Sequence, residues 1–195
     1  MLNFELFLII LVSYLFGSIP FGLLLTKIFL KKDIREIGSG NIGATNVLRS
    51  GNKILGYSTL VLDILKAVLP ILYVKFFMND YLYISALSIF IGHVFPIWLK
   101  FKGGKGVASY LGILCGLDIF TALIFGVVWI SIFILFKFSS LSSLLASLAI
   151  PIFQFFYNSN SDYYFYFMMF ILIFFTHREN IKRLRNNTES KSKIY

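Results

Sequence analysis

The sequence predicts an all-α fold, a polytopic membrane bundle of seven transmembrane helices with the N-terminus outside and the C-terminus in the cytoplasm. Of the 195 residues, 58% are hydrophobic and only 14% are charged, a composition typical of membrane proteins. The apolar residues gather into runs close to the ~20 residues that a helix needs to cross the hydrocarbon core. The basic residues fall in segments that share one side of the membrane if the chain crosses seven times.

The first three spans follow from uninterrupted apolar runs at residues 4–26, 54–77 and 81–99. The first run begins with an acidic residue, Glu5, where a cleavable signal peptide has a basic start, and it is longer than a signal-peptide core. We therefore expect it to remain in the mature protein as a transmembrane helix.

The stretch between Lys105 and Lys137 decides the number of spans. Its 31 residues are too many for one helix and too few for two full ones. A turn at residues 116–118 gives two helices, the first of them short, and keeps every basic segment on one face. Spans at about 141–157 and 163–176 complete the seven.

Charge placement sets the predicted orientation. Sixteen of the 18 lysine and arginine residues lie in predicted cytoplasmic segments or at their edges, and only Lys66 and Lys75 lie elsewhere. The predicted outer segments carry these acidic residues: Glu5, Asp80, Asp118 and Asp162. By the positive-inside rule, the net charge of +9 reflects membrane topology, and we expect no nucleic-acid partner.

We expect one transmembrane domain over residues 1–195, in which residues from about 184 form a polar cytoplasmic tail. The end of that tail, NNTESKSKIY, has the composition of a disordered segment. A single cysteine, Cys115, excludes both a disulfide framework and a cysteine-based metal site.

The first polar cluster, GSGNIGATNVLR, lies in the first predicted cytoplasmic loop. Its start matches the dinucleotide-binding pattern G-x-G-x-x-G, but that fingerprint needs a βαβ unit, and transmembrane helices flank it here. Glycines still allow backbone N–H groups to approach an anion, and polar side chains add donors. The alternative is a flexible interhelical turn. The candidate phosphate ligands are Gly38, Ser39, Gly40, Asn41, Gly43, Thr45, Asn46 and Arg49.

The second polar cluster, FKGGKG, follows the third span on the same predicted face. It is not a Walker sequence, because glycine rather than serine or threonine follows its second lysine. Two lysines around a glycine pair, opening into a helix at Val107, would direct N–H groups and a positive helix end at an anion. The alternative is a lysine pair that contacts lipid headgroups. The candidates are Lys102, Gly103, Gly104, Lys105 and Gly106.

The third polar cluster is the tail segment HRENIKRLRNN, which begins at His177. A basic amphipathic tail on anionic lipid would explain its lysines and arginines. It does not explain His177 and Asn180, which are three residues apart and share one helix face. We expect both side chains to point back into the bundle.

Other polar residues lie within the spans or at their ends. Asp63 and Lys66 are three residues apart on one helix, and we expect them to pair because a charge at mid-bilayer costs about 2.5–3.5 kcal/mol. His93 is either a helix-packing hydrogen bonder or a proton acceptor. Ser143 belongs to a serine-rich helix start that suits capping and ligand binding equally.

The three polar clusters come from distant parts of the chain and are predicted on one face. They indicate a phosphate site at the cytoplasmic interface that holds two phosphorylated ligands, one of them with an acyl chain in the bilayer. The alternative is a transporter of a phosphorylated metabolite, which would place its site near the midplane between internal repeats. The sequence contains no such repeat.

The motifs resemble those of the bacterial acyl-phosphate:glycerol-3-phosphate acyltransferases. The likeness runs from GSIPFG at residues 17–22 through GSGNIGATNVLR, LDILK and GHVFPIWLKFKGGKGVAS to HRENIKRL. It implies a monomeric enzyme of the bacterial inner membrane, with its active site facing the cytoplasm and no metal or cofactor. The implied reaction transfers a fatty acyl group from acyl phosphate to the 1-hydroxyl of sn-glycerol 3-phosphate. It yields lysophosphatidic acid and phosphate, in the first step of phospholipid biosynthesis.

The resemblance also implies roles for individual residues. The expected catalytic residues are Ser39, Lys105, His177 and Asn180. Apart from the resemblance, we expect substrate binding from the remaining candidates named for the first two clusters and from Lys66, His93 and Ser143. The chain departs from the usual family pattern at Ala67, Ser109, Lys137 and Asn187. The departure at Lys137 matters most, because lysine lacks the guanidinium fork that grips phosphate.

The expected chemistry is direct attack of the glycerol hydroxyl on the acyl carbon. Ser39 and neighbouring N–H groups would stabilise the developing oxyanion, and one such donor contributes about 10²–10³ in rate. The base is left open among His177, His93 and a substrate phosphate. An acyltransferase of the class that uses thioester donors is excluded, because neither histidine begins the His-x-x-x-x-Asp motif of that class.

Overall fold

The computed structural model describes residues 4–157 and 163–192, and the regular secondary structure in these ranges is helical. Asp162, one of the predicted outer acidic residues, lies outside the described residues. Stretches of the described chain that are long and apolar enough to cross a membrane are Phe4–Leu30, Asn79–Leu99, Ile119–Phe136 and Ser139–Tyr157. The chain divides into two compact units, Met1–Leu117 and Asp118–Tyr195.

The α-helices of the first unit are α1 (Phe4–Ser18), α2 (Phe21–Leu25), α3 (Ala44–Arg49), α4 (Lys53–Phe77), α5 (Leu82–Val94) and α6 (Val107–Leu117). Short turns of other helix types lie between them: a π-helix at Thr26–Leu30 and 3-10 turns at Ile34–Glu36, Asn79–Tyr81 and Ile97–Leu99. Helix α4 lies where the sequence predicts the second span, 54–77, and the predicted helix start at Val107 is confirmed as the start of α6.

The α-helices of the second unit are α7 (Ile119–Phe136), α8 (Ser139–Tyr157), α9 (Tyr163–Thr176) and α10 (Arg178–Arg185). Helices α8 and α9 lie where the sequence predicts the spans at 141–157 and 163–176. Helix α10 begins directly after His177 and carries the basic residues of the third polar cluster.

The first predicted span is interrupted in the structure. Helix α1 ends at Ser18 and α2 begins at Phe21, because Pro20 has no N–H with which to continue the helical ladder. Apolar composition alone does not reveal this interruption. As a result, the carbonyl oxygen of Ile19 can accept a hydrogen bond from a side chain of another helix.

Helix α5 is shorter than the predicted span at 81–99. It ends at Val94 and is followed by the 3-10 turn at Ile97–Leu99. The cause is Pro96, which disfavours helical backbone at the residue before it. His93 therefore lies in the last turn of the α-helix rather than two turns inside a continuous one.

The predicted helix break at residues 116–118 is confirmed. Helix α6 ends at Leu117, and Asp118 is the N-cap of α7, where its carboxylate accepts from the N–H groups of Phe120 and Thr121. On α4, Lys75 Nζ donates to the carbonyl oxygens of Gly116 and Leu117 at 3.1 and 2.7 Å. This lysine satisfies two of the carbonyl groups that the end of a helix leaves without partners.

The prediction of a disordered tail end is wrong for residues 186–192. Glu189 accepts hydrogen bonds from Ser140 and Arg183, and Ser192 N donates to the carbonyl oxygen of Lys137 at 2.8 Å. The polar composition of the tail concealed these contacts, because a single carboxylate makes most of them. Residues 193–195 lie outside the described residues.

Candidate functional site

The loop that carries the first polar cluster is anchored by buried apolar side chains. Ile34, Ile42 and Val47 of the loop pack in one cluster with Leu23 of α2 and Leu55 of α4. Ile34 and Val47 have no exposed surface. The loop is therefore packed against the helices that flank it, which argues against a flexible interhelical turn.

Asn46 holds the backbone of this loop together from within. Its Nδ2 donates to the carbonyl oxygens of Ile34, Ile37 and Asn41 at 2.8 to 3.0 Å. Its Oδ1 accepts from Ser39 N at 2.9 Å. Because the amide is 1% exposed and these contacts use both ends of it, Asn46 shapes the loop rather than offering a donor to a ligand.

The turn that Asn46 holds presents Ser39 and Arg49. Gly38 adopts φ +57°, and a Cβ added there would lie 3.2 Å from Arg49 Cδ, so the arginine stem passes close to the turn. Ser39 is exposed and Arg49 is half-buried. The loop's other arginine, Arg35, pairs with Asp33 at 2.6 Å. Among the described residues, Arg49 has no such partner, so its guanidinium fork suits a phosphate group.

The loop that carries the second polar cluster folds back onto the end of α5. Gly103 N donates to the carbonyl oxygen of Val94 at 3.0 Å, and Gly104 N donates to that of His93 at 3.1 Å. A Cβ added at Gly104 would collide with His93 Nε2. The glycine at this position is thus required by the close approach of the loop to the imidazole.

The lysines of the second cluster differ in exposure. Lys102 is exposed, whereas Lys105 is half-buried and is separated from the first residue of α6 only by Gly106. Gly106 has φ +84°, a conformation that reverses the chain into the helix and that side-chain-bearing residues rarely adopt. The structure therefore reproduces the predicted arrangement of a lysine and a glycine turn at a helix start.

Beneath this loop lies a buried polar cluster formed by Asp63, Lys66 and His93. Lys66 Nζ lies 2.7 Å from Asp63 Oδ1, which confirms the predicted pair. It also lies 2.7 Å from the carbonyl oxygen of Ile19 and 2.9 Å from His93 Nδ1. The three side chains are 2 to 4% exposed. Lys66 was expected to bind substrate, but its ammonium group is surrounded by acceptors of the protein itself.

In the second unit, His177 is the N-cap residue of α10 and is 2% exposed. Its Nδ1 lies 2.8 Å from the carbonyl oxygen of Ile173. Because a carbonyl oxygen only accepts, Nδ1 carries the hydrogen. In a neutral imidazole, the basic lone pair is then on Nε2.

Asn180 is buried on the face of α10 that the sequence predicts. Its Nδ2 donates to Glu189 Oε1 at 2.7 Å. Its Oδ1 is buried and has no hydrogen-bond partner among the described residues. A buried acceptor left without a partner costs about 1–3 kcal/mol, so this oxygen is open to a hydrogen bond from a ligand or a water molecule.

Glu189 anchors this region of the second unit. Its carboxylate accepts from Ser140 at 2.8 Å and from Arg183 at 2.6 Å, in addition to Asn180. Burial raises the pKa of Glu189, but the three hydrogen bonds outweigh that effect and hold the pKa below its ordinary value. Glu189 was not among the residues predicted from the sequence. The one feature that could have indicated it is its position as an acidic residue in a basic tail.

Ser143 uses its hydroxyl within the second unit. The hydroxyl donates to the carbonyl oxygen of Ser139 at 2.8 Å and accepts from Trp129 Nε1 at 3.1 Å. Ser143 is 2% exposed. These contacts favour a structural role for Ser143 over ligand binding. The serine that contacts Glu189 is Ser140.

Within the first unit, the structure thus brings Lys66 and His93 together with Gly104 and, separately, Ser39 with Asn46. Within the second unit, His177 is the N-cap of α10 and Asn180 lies on its first turn. No group of three or more His, Cys, Asp or Glu side chains in the described ranges is arranged to hold a metal ion.

Comparison with known proteins gives consistent matches. The family model described as glycerol-3-phosphate acyltransferase matches residues 7–187. A glycerol-3-phosphate acyltransferase of Pelagibacter ubique (strain HTCC1062) is 64% identical over 98% of this chain and 100% of its own length. A second, from Rhodopseudomonas palustris (strain HaA2), is 49% identical over 93% of both chains.

Solved structures agree with the sequence matches. The crystal structure of PlsY (YgiH), an integral membrane glycerol 3-phosphate acyltransferase in its glycerol 3-phosphate form, superposes with a TM-score of 0.90 at 36% identity. The match covers 96% of this chain and 95% of PlsY. The lysophosphatidic acid form of PlsY gives a TM-score of 0.87. These matches favour an acyltransferase over the transporter alternative.

Proposed function

This chain belongs to the glycerol-3-phosphate acyltransferase family, and on that premise we propose that it uses acyl phosphate as the donor. The acceptor is the 1-hydroxyl of sn-glycerol 3-phosphate, and the products are lysophosphatidic acid and phosphate. The observation that carries the proposal is the similarity along nearly the whole chain to PlsY, whose crystal structures are a glycerol 3-phosphate form and a lysophosphatidic acid form.

The proposed enzyme spans the bacterial inner membrane seven times as a monomer and acts on its cytoplasmic side. Support comes from the helices at the predicted positions and from the basic residues that flank them. A cysteine placed at Asp118, in a Cys115→Ala background, should react with a membrane-impermeant thiol reagent added outside. Labelling only after the membrane is opened would contradict this topology.

The two glycine-containing loops are proposed to bind the phosphate groups of the substrates. Arg49 offers a guanidinium group without a protein partner in the described chain, and Asn46 fixes the turn beside it. In the second loop, Lys102 and Lys105 supply positive charge around the glycine pair at the start of α6. Neutralising an anion in this way lets the reaction proceed without a metal or cofactor, because acyl phosphate already has a stable leaving group.

The proposed chemical step is a direct acyl transfer. The glycerol oxygen forms a bond to the acyl carbon, and the bond between that carbon and the bridging phosphate oxygen breaks. Phosphate leaves with the electron pair, and the hydroxyl proton passes to a base. His177 is the proposed base because its Nδ1 donates to Ile173 and its lone pair is on Nε2. Ser39 and adjacent N–H groups stabilise the oxyanion.

Detergent-purified protein tests this function directly. With palmitoyl phosphate and glycerol 3-phosphate, it should form lysophosphatidic acid and release one phosphate per product molecule. Palmitoyl-CoA should not replace palmitoyl phosphate, and Ser39→Ala should lower the rate by about 10²–10³. Phosphate release that does not require glycerol 3-phosphate, or product formation from the thioester alone, would overturn the proposal.

A further inference from the structure

We propose that Asp63, Lys66 and His93 form a buried, internally neutral triad that fixes His93 as a hydrogen-bond donor beneath Gly104. The triad positions the second glycine loop and takes no direct part in the chemistry. Lys66 and His93 then become positioning residues, not substrate ligands. The kinetic part of this inference rests on the proposed function, whereas its structural part does not.

The ammonium group of Lys66 is fully engaged by acceptors of the protein. An ammonium group has three hydrogens and no acceptor capacity. Three protein acceptors surround Lys66 Nζ within 2.9 Å: Asp63 Oδ1, Ile19 O and His93 Nδ1. The carbonyl oxygen among them is accessible because Pro20 interrupts the first span. No hydrogen of the ammonium group is left for a substrate phosphate.

The contact with Lys66 determines which ring nitrogen of His93 carries the hydrogen. Because Lys66 donates to Nδ1, this nitrogen holds a lone pair, and the ring hydrogen of a neutral imidazole must be on Nε2. The Nε2 side of the ring packs against Gly104 so closely that a Cβ there would collide with it. His93 therefore presents a donor to the loop, and it lacks the lone pair on Nε2 that a base needs.

The charge of the triad is balanced without any other group. Asp63 contributes −1, Lys66 contributes +1 and His93 is neutral, and the two charged side chains are 2 and 4% exposed. Removing one partner leaves the other charge buried without compensation, which is strongly unfavourable. The fixed pair in turn keeps the imidazole in one tautomer, because only its Nδ1 edge meets the ammonium group.

Histidine ¹⁵N NMR of the full-length protein in micelles tests this inference without measuring activity. The chain has two histidines, and a His177→Gln variant assigns the signals. We expect His93 to carry its hydrogen on Nε2 in the wild-type protein. In Lys66→Met, the Nδ1-protonated tautomer should become populated.

Lys75→Met is the matched control. Lys75 is also on α4 and also donates to carbonyl oxygens, but these belong to the end of α6. Its substitution should leave the His93 spectrum unchanged. An Nδ1-protonated His93 in the wild-type protein, or equal spectral changes in Lys66→Met and Lys75→Met, would overturn the triad.

Steady-state kinetics supply the second readout. Lys66→Met should lower kcat/KM by up to about 10²-fold through KM for glycerol 3-phosphate, as a displaced loop does, with kcat less affected. A fall in kcat at unchanged KM would overturn the positioning role. If the wild-type protein shows the expected tautomer but transfers no acyl group, the proposed function fails and the triad stands.

Discussion

The two histidines of the chain are both almost fully buried, yet their Nδ1 atoms have opposite hydrogen-bond partners, a donor for His93 and an acceptor for His177. His93 accepts at Nδ1 from the Lys66 ammonium group and carries its hydrogen on Nε2. His177 donates from Nδ1 to the carbonyl oxygen of Ile173 and keeps its lone pair on Nε2. The difference shows that the partner of one ring nitrogen, rather than burial or residue type, decides whether a histidine is a donor or a base.

The same contrast extends to the surroundings of each ring. In the first unit, His93 belongs to a cluster with an ion pair and packs under a glycine loop. In the second unit, His177 lies beside the anchored start of α10, where Asn180 and Glu189 are hydrogen-bonded to each other. One site thus lies under a loop, and the other contains the proposed base and the buried amide oxygen of Asn180.

The largest expected effect is a difference in rate between the same substitution made at the two histidines. His177→Gln removes the proposed base and should lower kcat by about 10²–10⁴. His93→Gln keeps an N–H donor and an acceptor, so the loss should stay below about tenfold, the value of one net hydrogen bond. Rates of lysophosphatidic acid formation measure both. A larger loss at position 93 than at 177 would break the comparison.

Among the ion pairs of the first unit, the buried pair of Asp63 and Lys66 should contribute most to stability. Asp63→Asn leaves the Lys66 charge buried and unpaired, and we expect the free energy of unfolding to fall by about 3–5 kcal/mol. Adding Lys66→Met to that variant should recover much of the loss, because no buried charge remains. Denaturant titration in mixed micelles measures the effect. Equal stability of Asp63→Asn and of the double variant would show that the unpaired Lys66 charge is not the cause of the loss.

The glycine above His93 gives the next effect. Gly104→Ala introduces a Cβ that collides with Nε2, and we expect kcat/KM to fall by up to about 10²-fold through KM for glycerol 3-phosphate. Gly126→Ala on α7 is the control, because a Cβ there meets nothing within 4 Å. Equal kinetic constants for the two variants would contradict the close contact between the loop and the imidazole.

The smallest effect concerns the anchor of the second unit. The pKa of Glu189 is lower in the folded protein than its ordinary value. Its contribution to stability is therefore complete above the unfolded-state pKa, about 4.3, and fades as the pH falls toward the folded-state pKa. Hydrogen exchange of residues 186–192 should accelerate over this acidic range. In Glu189→Gln, exchange should be faster at neutral pH and lose that dependence on acid.

Much of the helical framework was predictable because apolar run length and charge placement are local properties of the sequence. The charge distribution even indicated the break at residues 116–118, which the structure confirms. The break at Pro20 was not predicted, because an apolar run continues through it. Its consequence, a carbonyl oxygen presented to Lys66, depends on packing between distant segments.

The sequence was sufficient to select polar residues of the candidate site, but not to predict the contacts that each of them makes. The sequence selected Asn46, Lys66 and His93 as substrate ligands, and in the structure their hydrogen-bond partners are groups of the protein itself. Glu189 was missed because its partners, Ser140 and Asn180, are 49 and 9 residues away along the chain. A sequence pattern shows which side chains could bind a phosphate or transfer a proton. Only the structure shows which of them already form hydrogen bonds with other groups of the protein.

Chemical rescue by imidazole tests the contrast between the two histidines most directly. Lysophosphatidic acid formation would be measured for His177→Gly and His93→Gly as free imidazole is added. We expect imidazole to restore activity to His177→Gly in a saturable manner, because it replaces the missing base, and to leave His93→Gly unchanged. No rescue of a folded His177→Gly, with or without rescue of His93→Gly, would contradict the assignment of His177 as the base.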